Sequence, residues 1–198
     1  MYKSLTMQLQ LAIVIGAIIV GGALTANLAF MDSSDTANSM KSTAGIMGHL
    51  TLTATNEDGE IIAYRQTDNV VINAGDDCLI DDTFGVTFSG CTNPDGAFTT
   101  VHIGDSQSGS PTETTTALGN IVTSTGGTVG SFVAAATDQG ASVTVTADFL
   151  NVSASIDEAA LMNGAANQDA LAIQEFAAIS LGENDDLTIE WTVTIDGS

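Results

Sequence analysis

Residues 187–195 read LTIEWTVTI. Leu187, Ile189, Trp191, Val193 and Ile195 alternate with Thr188, Glu190, Thr192 and Thr194. Successive side chains of an extended strand point to opposite faces, so this pattern predicts a strand with one face in a core and one in water. A strand this regular is expected to close a sheet.

Working outward, the same period recurs. In residues 49–55, HLTLTAT, Leu50, Leu52 and Ala54 alternate with threonines. Asn56-Glu57-Asp58-Gly59 is a turn signal, so residues 60–66 are expected to return as the second strand of a hairpin. Residues 69–73, NVVIN, read as a short third strand, and residues 76–82 as an acidic turn or helical start around Cys78. Further strands are expected at 98–103, 117–123, 129–134, 141–149, 151–163 and 171–179, with a long Ser/Thr/Gly loop at 104–116. In residues 141–149, Val143, Val145, Ala147 and Phe149 share one face. Almost no helical period occurs after residue 46, and roughly eight to ten strands predict a mainly β domain, a β-sandwich or jelly roll.

The front of the chain differs. Residues 9–30, LQLAIVIGAIIVGGALTANLAF, are apolar and uncharged. Residues 11–30 as a helix would be about 30 Å long, the thickness of a bilayer core. Three readings stand together. One is a secretory signal peptide, with Lys3 as basic region and cleavage at Ala26 or Ala29. Another is a permanent anchor, which Gly16, Gly21, Gly22 and Asn27 weaken. The third is a helix exported and then buried among copies of itself, where Ala12/Gly16, Ala17/Gly21 and Gly22/Ala26 would allow close approach. The expected organisation is a hydrophobic leader at 1–30, a linker or donor arm at 31–47 and a β domain at 48–198. Such an arm is suited to pairing with an open sheet edge on a neighbouring subunit.

Met1-Tyr2-Lys3-Ser4 before Leu5-Thr6 resembles the short basic leader of archaeal type IV pilins. The resemblance implies cleavage after Lys3-Ser4 and assembly through a helix at 5–30. The stretches DNVVINAGDD, IGDSQSGSPTETTTALGN and LTIEWTVTIDGS are similar to small β-domains of archaeal surface proteins and of phage tail and fibre proteins. That likeness implies a structural module presented outside the cell or on a virion.

Charge narrows the partners. The chain carries 24 acidic and 3 basic residues, a net charge of −21. Nucleic acid is a poor partner, because phosphate binding needs Lys and Arg. An anionic membrane surface is equally unsuited to the domain, leaving membrane contact to the leader during export. The hydrophobic share, 44%, argues against disorder. The two cysteines, Cys78 and Cys91, read as one disulfide in an exported protein, worth around 3 kcal/mol in the chain-entropy model.

Chemistry is sparse. Gly104-Asp105-Ser106 resembles the nucleophile motif of chymotrypsin-like proteases, but Gln107-Ser108-Gly109 replaces the continuation and nothing marks a base with its orienting partner, so a serine-rich loop is expected. Asp76, Asp77, Asp81 and Asp82 are candidate oxygen ligands for calcium, which takes about six to eight; Asp95 and the Glu183/Asp185/Asp186 turn are further acidic clusters. Paired carboxylates also suit glycosidases, but Tyr2, Tyr64 and Trp191 are the only aromatics beyond phenylalanine, too few for a sugar platform. Asn151-Val152-Ser153 is an N-glycosylation sequon. No enzyme is expected and no cofactor beyond possible calcium. The expectation is a subunit of an extracellular, cell-surface filament that polymerises with copies of itself through its N-terminal segment. The alternative is a surface adhesin or virion tail module binding glycan or protein through 104–116 and the turn near Asp95.

Overall fold

The structure is a computed structural model, and it describes residues 45–86, 90–91, 96–106, 109–137, 139–164 and 169–196. The expected leader, most of the linker and Asp95 lie outside the described residues. Among those described, the strands are β1 (Gly45–Thr55), β2 (Ile61–Val71), β3 (Thr100–Asp105), β4 (Asn120–Gly126), β5 (Thr128–Val129), β6 (Ala141–Phe149), β7 (Ser155–Met162), β8 (Ala170–Ser180) and β9 (Asp186–Asp196), with one α-helix, α1 (Asn73–Phe84). No described helix is long and apolar enough to cross a membrane.

All strand pairings are antiparallel, and the order is β4-β3-β7-β8-β2-β1-β9-β6-β5. The expected sandwich is thus one continuous sheet, nearly closed, whose halves share a core. Two runs of chain make the corners. At the first, β2 pairs with β1 from Ile61 to Asn69, then turns so that Val70 and Val71 pair with Ile173 and Ala172 of β8. At the second, β4 lies on β3 as far as Gly126, and after Gly127 the chain pairs Thr128 and Val129 with Thr146 and Val145 of β6. A Cβ on Gly127 would collide with the Val145 side chain and lie 3.0 Å from the Thr99 carbonyl, so only glycine lets the corner pass this close.

The shared core takes Leu50, Leu52 and Ala54 from β1, Val145, Ala147 and Phe149 from β6, and Leu187, Ile189 and Trp191 from β9. From the other half it takes Val101 and Ile103 of β3, Ile156, Ala159 and Leu161 of β7, and Leu171, Ala172 and Ile179 of β8. Leu50, Leu52, Leu187, Ile189 and Trp191 are wholly buried, as their alternation predicts. Burying each such side chain favours the fold by about 1.5–3 kcal/mol.

Four expectations change. The first strand begins at Gly45, inside the segment read as linker, because Gly45 pairs with Asp196 of β9. The second and third strands are one, β2, with Ile72 beyond its end preceding α1. Of residues 129–134 only Val129 lies in a strand, the two-residue β5, and Val133 makes an isolated bridge to Ser142. The acidic stretch at 76–82 lies within the twelve-residue α1.

That helix is weak locally. Ile72 at its N-terminus offers no side-chain cap, and its last turn carries no basic residue. Tertiary contact holds it. A Cβ on Gly75 would lie 2.5 Å from Leu171 Cα, so glycine lets the helix backbone press onto β8. Cys78 is bonded to Cys91, with their Cα atoms 5.2 Å apart. Ile72, Ala160, Met162, Ala170 and Ile173, with Ala74 and Leu118 against them, form a second apolar cluster beneath α1 and the loop that precedes β4.

Candidate functional site

The concentration of buried polar groups lies on the outer side of β3 and β7. Gly104 of β3 pairs with Glu158 of β7, next to a register shift between Ile156 and Glu158. A Cβ on Gly104 would sit 2.5 Å from Glu158 Oε1, so the glycine makes room for the carboxylate. Glu158 is wholly buried. Its Oε2 accepts the Gly119 N–H at 2.9 Å and its Oε1 the Asn120 N–H at 3.1 Å. The two bonds pin the end of the 106–119 loop to the sheet. Burial raises the Glu158 pKa above the ordinary glutamate value; the two N–H donors pull it down, and Asp157 and Asp105 push it up again.

Asp105, at the end of β3, accepts from Asn120 Nδ2 at 2.6 Å and from the Ser106 hydroxyl at 3.2 Å. Ser106 has a left-handed φ of 68°, a turn conformation. His102 is buried, and its Nε2 donates to the Gly164 carbonyl at 3.0 Å. Among the described residues its buried Nδ1 has no hydrogen-bond partner, and burial lowers its pKa below the ordinary histidine value. His49 Nδ1 lies 2.9 Å from Asp68. The ring contacts of both histidines thus go to Gly164 and Asp68, while the Ser106 hydroxyl goes to a carboxylate. Gly104-Asp105-Ser106 is a strand end and turn.

α1 separates the candidate calcium ligands. Asp81 is buried, whereas Asp76, Asp77 and Asp82 are exposed. Asp76 is five residues from Asp81 and six from Asp82, spacings that turn side chains to different sides of a helix; Asp77 and Asp81, four apart, share a side, but one is exposed and the other buried. Among the described residues, the His, Cys, Asp and Glu atoms that do converge are those of Cys78, Cys91 and Asp169, where the sulfurs bond each other and offer no thiolate. Asp76 instead lines a polar cavity of about 350 Å³ with Asn73 and Glu113. Its pKa is raised by burial, then by the charges of Asp77 and Glu113.

The acidic turn caps backbone: Asp185 accepts the Gly182 N–H at 2.7 Å and Asp186 the Asn151 N–H at 3.3 Å. Asn151 and Ser153 of the sequon are exposed between β6 and β7. On the 106–119 loop, Ser110, Thr112, Thr114, Thr115 and Thr116 line an open groove of about 420 Å³.

Sequence reasoning missed Glu158, and noted His102 only as a histidine upstream of Gly104-Asp105-Ser106. The available signal for Glu158 was one carboxylate in an otherwise apolar stretch, EAALM, which a buried strand tolerates only with donors supplied from elsewhere. These features define a mainly β, disulfide-bonded domain with a buried carboxylate that fastens a surface loop. Comparison with protein-family models, curated proteins and solved structures returns no match.

Proposed function

We propose that the protein is a structural subunit of an extracellular, cell-surface filament, joined to its neighbours through the apolar segment at 9–30. The observation that carries this reading is how β1 is held. β1 follows that segment in the chain, and it lies between β2 and β9 rather than at an edge. It pairs with β9 over its full length, from Gly45↔Asp196 to Thr55↔Asp186, and with β2 from Gly48 onward. Tension entering at Gly45 must shear both ladders at once, as a load-bearing subunit requires. The Cys78–Cys91 bond suits an oxidising compartment. Exposed Asn151 is the expected glycan site on the outer surface.

The test is electron microscopy of the full chain beside residues 42–198, which form a compact unit. The full chain should give regular filaments and the shorter chain a folded monomer. Filaments from the shorter chain would refute the reading. The second reading is an adhesin, favoured by the hydroxyl-lined groove at 110–119; binding of soluble glycans by the monomer would support it.

A further inference from the structure

The sheet has a seam. β8 pairs with β7 nearly from end to end, but on its other side only Ala172 and Ile173 pair with β2. β2 likewise uses one edge for β1, and among the described residues its other edge pairs only at Val70 and Val71. Among the described residues, 61–69 of β2 and 174–180 of β8 therefore have no ladder partner on the seam side. Unpaired sheet edges invite strand addition. Ile61, Ile62 and Tyr64 are exposed there, at 66%, 45% and 51%. Ala63 and Phe176 are only partly buried, although both pack on the main core. The core thus reaches solvent along the seam.

We infer that this seam accepts an extended strand from residues 24–31 of a second copy. The inference rests on the filament reading and specifies its joint. In LTANLAFM, Leu24, Ala26, Leu28 and Phe30 alternate with Thr25, Asn27, Ala29 and Met31, a period of two. No charge occurs between Lys3 and Asp32, so the segment adds none to a chain of net charge −21. The thirteen residues at 32–44 span roughly 40 Å when extended, enough to reach a neighbouring molecule. Main-chain hydrogen bonds would supply affinity, and the alternate apolar side chains would cover Ala63 and Phe176.

The experiment uses the full chain and two substitutions at the exposed Ile62. Ile62→Lys should lower polymer yield at least tenfold while Ile62→Val polymerises as wild type, and thermal unfolding of both should match wild type. Hydrogen exchange on wild-type filaments should show residues 61–69 and 174–180 protected relative to dissociated subunits. Wild-type filaments that tolerate Ile62→Lys with exchange at the seam unchanged would overturn the joint and leave the filament reading standing. A wild-type chain that stays monomeric at all concentrations would overturn both.

Discussion

The two halves of the sheet solve burial differently. The half made of β1, β6 and β9 has one dry face. Its other face is wet and polar, with Thr51 and Thr53 of β1, Thr188 and Thr192 of β9 and Thr144 of β6, where Thr144 and Thr192 hydroxyls meet at 2.9 Å. The half made of β3, β7 and the first residues of β8, Ala170–Ile173, is dry on both faces, because α1 and the loop before β4 cover its outer side. A one-faced sheet needs only alternation. A two-faced one must also satisfy whatever polar group its second face encloses, and here that group is Glu158.

The sharpest way to break the one-faced half is to empty its single core. Trp191 is wholly buried between Leu50 of β1 and Val145 of β6. Trp191→Ala should cost about 3–5 kcal/mol, measured by denaturant unfolding. A loss below about 1 kcal/mol would mean that the shared core does not hold this half together.

The cover of the two-faced half has its own fastening. Reducing Cys78–Cys91 should cost about 3 kcal/mol and loosen α1 first, since that helix has no side-chain N-cap and no basic residue in its last turn. Circular dichroism should lose helical signal under reductant before Trp191 fluorescence changes. Simultaneous loss would show instead that the cover and the shared core form one cooperative unit.

The same contrast explains what the sequence made legible. β6, β9 and residues 49–55 of β1 alternate strictly, so their inward residues were readable; residues 45–48 carry no such alternation, and the start of β1 was not readable. Ala159–Met162 of β7 and Ala170–Ile173 of β8 are buried on both faces, and these apolar runs, AALM and ALAI, carry no period to orient them. α1 was read only as an acidic turn or helical start at 76–82 because NAGDDCLIDDTF has no apolar stripe; a disulfide and a glycine contact hold it, and neither leaves a periodic mark. β2 was split in two because its residues serve two partners in succession. Of the candidate site, the disulfide was readable from the two cysteines of the chain, which bond each other. Glu158 was not, since its donors at Gly119 and Asn120 lie about forty residues away.

Glu158 also gives the two-faced half a pH response of unusual sign. Its pKa is raised on folding, so between the ordinary glutamate value and the folded one the native state holds more protons than the unfolded state. Stability from this group therefore falls as pH rises through that window, the reverse of a salt-bridged carboxylate. His102, with its pKa lowered by burial, acts the other way at higher pH: the unfolded state takes the extra proton, so stability rises with pH up to the ordinary histidine value. Glu158→Gln keeps one acceptor oxygen but replaces the other with a donor facing an N–H, and should cost about 1–3 kcal/mol near neutrality. It should also flatten the acid-side slope while leaving the histidine slope intact. Unfolding curves of both proteins from pH 4 to 7 test this. An unchanged acid-side slope in the variant would assign the response to the exposed carboxylates and leave Glu158 as a loop fastener alone.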